Sequence, residues 1–311
     1  MGSIDAELSE RVLSWVIRAV HPEATILSVQ QLHGGVSSLV HEISLAVRGE
    51  VSSVVLRQFH DAEWVREEPD LAVREAESLR RAVQSVGVQT PRLIAFDATG
   101  DQCGMPALMM TRLEGSVVLE PREPNRWLQG MAEVLAGIHA SDASGFGWTF
   151  KPYTNAAKMD ASSWSRNPDK WRMAAEIVQA SRPEAVTRFI HRDYHPTNIL
   201  WSGDKVSGVV DWVNGCLGPA GIDVGHCRVN LAQLHGVGAA DAFLEYYRNR
   251  TGDSFQYDPY WDLVTLIDYA FWPPDVYEGW TALGMTGLTK QIIIERLDSY
   301  LISVLDRVSG C

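Results

Sequence analysis

The texture of this 311-residue chain changes once, near Thr111 to Gly115, and that change limits its architecture more than any other feature. Ahead of it, apolar and polar residues alternate at a period of two, the pattern of half-buried strands. "TILSVQQLHGGVSSLVHEISLAV" reads as two strands turning at Gly34-Gly35. "SSVVLRQF" (Ser52 to Phe59) reads as a third, and "PRLIAFDATG" and "MPALMMTRLEG" as two more. Among them, "DLAVREAESLRRAVQSVG" carries Leu71, Ala72, Ala76, Leu79 and Val83 at helical spacing and stops at Gly87. Beyond the change, helical periodicity dominates: "RWLQGMAEVLAGIHAS", then Trp171 to Ala180, Ala239 to Arg250 and Gln291 to Val308. A strand-rich front and a helix-rich back predict an α+β chain of two lobes, residues 1–112 and 113–311. Junctions of that kind favour ligand sites.

Composition removes several classes of function. With 27 basic against 39 acidic residues the net charge is -12, which disfavours nucleic acid and anionic membrane as partners. The opening "MGSIDAELSERVLSWVIRAV" is acidic and reads as an amphipathic helix, not a secretion signal. No apolar run approaches membrane-spanning length. Cys103, Cys216, Cys227 and Cys311 form no CxxC pair, so the expectation is a reduced cytoplasmic protein with Cys216 and Cys227 as buried thiols. The oligomeric state is not legible.

The densest chemistry lies in "FIHRDYHPTNIL" (Phe189 to Leu200), where five polar residues sit between apolar runs. Downstream, "ILW", the turn "SGDK" and "VSGVVDW" form a hairpin pattern. Pairing across that turn sets Asn198 opposite Val209, with Asp211 just beyond and Asp193 in the loop feeding the first strand. Two acids and an amide at one end of a ribbon suit magnesium, a hard cation that prefers oxygen. Taken singly, Asp193 and Asn198 read as turn caps; the ordered set does not. The ordered set H-R-D-x-x-x-x-N followed by a strand ending in Asp is the catalytic-loop arrangement of protein kinases. In that scheme Asp193 accepts the acceptor hydroxyl's proton, while Asn198 and Asp211 hold the metal.

Asp211 is followed by Trp-Val instead of Phe-Gly, and no A-P-E follows. The string "HRDYHPTNILW…GVVDWVNGCLGPAGIDVGH" instead resembles the aminoglycoside phosphotransferase family, kinase-like enzymes that act on small molecules. The resemblance implies a bilobal protein-kinase-like fold with a small N-terminal β-sheet lobe and a larger helical lobe. It implies ATP or GTP and Mg2+ as cofactors, and His191 and Asp223 as supports of the catalytic loop. It also makes Arg57 the phosphate-pairing residue of the third strand and Glu75 its partner. Gly34, Gly35, Ser37 and Ser38 fall where a phosphate-covering loop belongs, and Met110, Thr111 and Arg112 where backbone would meet the purine. His139 and His195 read as structural.

The acceptor is less defined. Relatives phosphorylate aminoglycosides, choline-like amines, homoserine or sugar-like metabolites. "IDYAFWPPDVYEGW" (Ile267 to Trp280) interleaves Asp268, Asp275 and Glu278 with Trp272 and other aromatics, which suits a cationic or polyhydroxylated small molecule. An aminoglycoside-like antibiotic is the first expectation. Asp275 and Glu278 would share a helical face started by Pro273-Pro274. The competing classes are a metabolite kinase, a catalytically silent kinase-like module and a metal-dependent hydrolase. The last is disfavoured because no histidine ligands accompany the acids in pattern.

Overall fold

Strand alternation in the first 111 residues produces a five-stranded antiparallel sheet in which the first three strands lie in chain order and the fifth sits between the third and the fourth. This computed structural model describes residues 8–32, 38–85, 87–161, 163–180 and 182–309. The chain divides into two units, the first of residues 1–84, 89–114 and 212–214, the second of the remainder. In the first unit α1 (Glu10–Val20) precedes β1 (Thr25–Leu32), β2 (Leu39–Val47) and β3 (Glu50–Gln58). The β2–β3 connection is a two-residue turn with positive φ at both Arg48 and Gly49, the conformation whose twist matches a tight hairpin. α2 (Ala62–Glu67), α3 (Leu71–Ala82), β4 (Leu93–Asp97) and β5 (Ala107–Thr111) complete the unit.

Ser9 caps α1 by accepting the Val12 amide, and the helix buries Val12, Trp15 and Val16 against Ile43, Leu45, Val54, Leu56 and Met109. Each such aliphatic side chain contributes about 1.5–3 kcal/mol by leaving water. α3 lays Leu71 and Ala72 beside Phe59 and Val213, the latter from the short return segment 212–214. Arg74 Nε donates to the Val213 carbonyl at 2.7 Å, which fixes that segment in the unit.

The second unit opens with β6 (Ser116–Val117), α4 (Pro124–His139) and α5 (Pro168–Gln179). β7 (Thr187–Ile190), β8 (Ile199–Ser202), β9 (Lys205–Val209) and β10 (Cys216–Pro219) make two small antiparallel sheets, β10-β7 and β6-β8-β9. The helices α6 (Ala220–His235), α7 (Val237–Thr251), α8 (Pro259–Ile267), α9 (Glu278–Ala282) and α10 (Lys290–Ser309) follow. Among the described residues no helix is long and apolar enough to cross a membrane. Cys103 and Cys227 are buried free thiols, and Cys216 is buried.

Three expectations need correction. The β8–β9 register pairs Ile199, not Asn198, with Val209, because Pro196–Asn198 forms a 3-10 turn ahead of the strand. Pro273-Pro274 starts no helix: Asp275 lies in coil, its carboxylate accepting the Val276 amide, and α9 begins at Glu278. Asp275 and Glu278 therefore share no helical face. Sequence periodicity assigns no helix to residues 220–235, where the structure has the 16-residue α6. Its side chains are buried on nearly every side, so it carries no amphipathic stripe for periodicity to detect. The short α8 is hidden in the same way.

Candidate active site

β7 ends at Ile190, and the chain then enters the loop that sequence singled out. Arg192 adopts φ 68°, a left-handed conformation that costs a non-glycine residue roughly 1–2 kcal/mol. What offsets that cost is Asp223, fully buried in the first turn of α6. Its carboxylate accepts the amides of His191 at 2.7 Å and Arg192 at 2.6 Å. His139 Nε2 lies 3.0 Å from the same carboxylate, and its Nδ1 lies 2.7 Å from the Tyr247 hydroxyl. The core histidine expected at 139 is therefore part of the clamp on the loop.

His191 is held at both ring nitrogens. The Asp193 amide donates to Nδ1 at 3.3 Å, so Nε2 carries the proton and donates to the Val210 carbonyl at 2.9 Å. The Val210 amide in turn donates to the Asn198 carbonyl at 2.9 Å. Below the loop, the buried Tyr194 hydroxyl donates to the Met131 carbonyl at 2.8 Å. The loop is thus fixed at its start, middle and end by groups outside it.

This scaffold presents Asp193. Asn198 Nδ2 donates to the Asp193 carbonyl at 2.8 Å and to Oδ2 at 3.2 Å. His226 Nε2 lies 3.1 Å from Oδ1, and His195 Nε2 lies 3.6 Å from the same atom. Burial by itself raises the Asp193 carboxyl, but His195, His226 and His191 outweigh it and hold the pKa well below the ordinary carboxylate range. Burial also depresses His195, to about 4 against Asp193's opposing pull, so the imidazole is neutral near pH 7. Asp193 is an ionised carboxylate, weakly basic and fixed in direction.

Both amide hydrogens of Asn198 are committed to Asp193, so its amide oxygen is the atom it can offer a cation. Asp211 follows β9 at φ 65°, a second non-glycine residue in the left-handed region. The donor chemistry, one amide oxygen and one carboxylate, fits magnesium.

In the first unit, Arg57 on β3 and Glu75 on α3 form the expected pair at 3.1 Å, with 6% and 0% of their side chains exposed. Arg57 Nε donates to Ser38 Oγ at 2.8 Å. Gly34, Gly35 and Ser37 lie outside the described residues. Met110 pairs with Val55 and Leu93 inside the sheet, and the Thr111 amide donates to the Arg92 carbonyl. Arg112 leaves the strand, and its guanidinium binds Glu42 at 2.8 Å and Glu114 at 3.1 Å.

The residues expected to hold the acceptor differ in burial. Trp272 is 74% exposed, and Asp275 and Glu278 are exposed as well. Asp268 is half-buried and accepts the Thr154 hydroxyl at 2.6 Å; its carboxyl is raised chiefly by burial. Two residues outside the expected site set interact with Asp193. Tyr277 is raised by burial and then by the charges of Asp193 and Asp211. His226 touches Asp193 directly, so histidines do accompany this acid, against expectation. A helix through Asp223 would have revealed His226, because residues three apart share a face.

The model of the phosphotransferase enzyme family (APH) matches residues 28–260. The homoserine kinase of Methylobacterium nodulans (strain LMG 21967 / CNCM I-2342 / ORS 2060) is 28% identical over 151 residues, 45% of this chain and 46% of that protein. The match thus spans about half the length of that curated relative. Among solved structures, aminoglycoside phosphotransferase APH(4)-Ia in a ternary complex with ADP and hygromycin B superposes with TM-score 0.61 at 17% identity, covering 93% of this chain and 97% of that one. The macrolide 2'-phosphotransferase MphH of Brachybacterium faecium gives 0.59 at 14% identity, covering 92% and 97%. These likenesses show a protein-kinase-like α+β fold. With the family model matching about three-quarters of its length, the chain belongs to the phosphotransferase enzyme family.

Proposed function

We propose that this protein is a cytosolic, magnesium-dependent kinase that moves the terminal phosphoryl group of ATP or GTP to a hydroxyl of an amino alcohol. The observation that carries the reading is the Asp193 carboxylate, braced at Oδ1 by His226 and at Oδ2 by Asn198 within a loop clamped by Asp223. Phosphoryl transfer asks little covalent work of a protein, so positioning and charge supply most of the catalysis. A weakly basic, rigid carboxylate suits that demand: it accepts a hydrogen bond from the incoming hydroxyl and takes the proton late. Magnesium held by Asn198 and Asp211 would neutralise charge on the nucleotide phosphates. Arg57, kept in place by Glu75 and Ser38, is the phosphate-pairing cation of the first unit.

Homoserine is the first candidate acceptor, because curated homoserine kinases are the sequence relatives reported above. Hygromycin-like aminoglycosides come second: a fold neighbour binds one, and a role in antibiotic resistance would follow. Both carry an ammonium group, for which the half-buried Asp268 is a carboxylate partner. Incubation with MgATP or MgGTP and a panel of homoserine, choline, hygromycin B and neutral sugars, read by mass spectrometry, tests this. Phosphorylation of neutral sugars alone would reject the amino-alcohol reading, and no product from any acceptor would favour a silent module.

A further inference from the structure

We propose that Asp193, His195 and His226 form a zinc-binding site, chemically distinct from the magnesium ligands Asn198 and Asp211, and that zinc held there withdraws Asp193 from phosphoryl transfer. The three side chains offer one carboxylate oxygen and two imidazole nitrogens, all within 4.8 Å of one another. Asp193 Oδ1 stands 3.1 Å from His226 Nε2 and 3.6 Å from His195 Nε2. Ligands of a tetrahedral zinc with bonds of ~2.0–2.1 Å are separated by about 3.3 Å, so these atoms need little movement to share one ion.

The surroundings suit a metal. Side-chain exposures of 29% for Asp193, 17% for His226 and 10% for His195 leave a path from solvent while most of each group is shielded. Thr197 Oγ lies 2.9 Å from His195 Nδ1 and 3.2 Å from its Nε2, packed against the ring between them. The His226 carbonyl accepts Asn230 Nδ2 at 2.9 Å, which steadies the second histidine. On binding, the proton that His226 Nε2 directs at Asp193 relocates to Nδ1, and the freed lone pair takes the ion.

Ligand softness separates the two cations. Magnesium prefers six oxygens and sheds water reluctantly, so a site with two imidazoles discriminates against it, whereas zinc is well served by imidazole. Three protein ligands leave zinc a fourth position for water or a phosphate oxygen. The inhibitory half of the proposal rests on the function proposed above, because it requires Asp193 to serve the acceptor hydroxyl; the site itself does not.

The test uses the metal-free full chain without nucleotide, titrated with zinc against a chromophoric chelator and separately with cobalt(II) as a spectroscopic probe. One zinc per chain and an intense visible cobalt spectrum, the signature of four-coordination, are expected. His226→Ala and His195→Ala should each weaken zinc by about 10–100-fold or more, the loss that even an outer partner can cause. A faint octahedral cobalt spectrum in the wild-type protein, which needs no variant to fold, would overturn the site. Unchanged zinc affinity in both variants, with melting curves showing them folded, would overturn it as well. With magnesium saturating, zinc should then lower turnover of the acceptor found by the panel at least tenfold. Zinc bound at the triad without inhibition would overturn the inhibitory half, and with it the assignment of Asp193 rather than the site.

Discussion

The Arg57–Glu75 pair and the loop from His191 to Asn198 both hold polar groups away from water, yet they are built from opposite materials. The pair joins an interior strand, β3, to the helix α3, and each partner sits in unstrained regular structure. The loop has almost no regular structure. It contains one left-handed residue, Arg192, precedes a second, Asp211, and leans on a single buried carboxylate at Asp223. Regular elements place a charge with redundancy, because many contacts define the element. A strained loop places it through a few bonds, each of which matters more.

That contrast makes ordered predictions. The largest effect belongs to the loop's own chemistry: Asp193→Ala should lower turnover by roughly two to four decades while leaving nucleotide affinity nearly unchanged. Steady-state kinetics beside a nucleotide titration decide it, and turnover within a few-fold of wild type in a folded variant removes Asp193 from the mechanism. Next comes the clamp. Asp223→Ala strands the buried amides of His191 and Arg192 and the His139 ring, and should cost about 3–5 kcal/mol by denaturant unfolding.

Asp211→Asn tests the loop's other end at smaller scale. Asparagine tolerates φ 65°, so the fold should survive while magnesium-dependent nucleotide binding weakens by about tenfold or more. Calorimetry showing unchanged MgATP affinity would sink Asp211 as a ligand. In the first unit, Glu75→Gln keeps an acceptor for Arg57 and should cost only about 1–3 kcal/mol, with a raised KM for nucleotide. If it proves more damaging than Asp223→Ala, the contrast between redundant and strained placement is wrong.

The smallest effect is a pH dependence. His195 is held neutral, its folded pKa near 4 lying below the ordinary 6.5. Its contribution to stability is therefore present above about 6.5 and is lost as pH falls toward 4. Melting temperatures followed over that range should drop less steeply in His195→Gln than in the wild-type protein.

How much of this was legible follows from the same physics. The strands of the first unit were readable because each buries one face, which writes a period of two into the sequence. The catalytic loop was readable because several polar residues in fixed order are rare between apolar runs. α6 was not, since a helix buried on nearly all sides has no polar stripe, and with it His226 was passed over. The acceptor segment misled for a different reason. Asp275 and Glu278 have helical spacing, but Pro273-Pro274 is followed by coil, and spacing means nothing without the helix.

One feature of α6 reaches beyond packing. Where α6 meets α8 it carries glycine twice, one turn apart: a methyl group at Gly221 would fall 2.6 Å from the Trp261 ring, and one at Gly225 2.7 Å from Thr265 Oγ and 2.9 Å from the Trp261 carbonyl. Between and beside those glycines stand Asp223 and His226, which set the loop and touch Asp193. The seam is a gauge block: the thickness of two missing side chains fixes how far α6 stands from α8, and hence where its two functional groups arrive. The aim of the Asp193 carboxylate is therefore exposed to changes at positions that do not touch it, and an alanine at Gly225 would be felt first as a misaimed carboxylate.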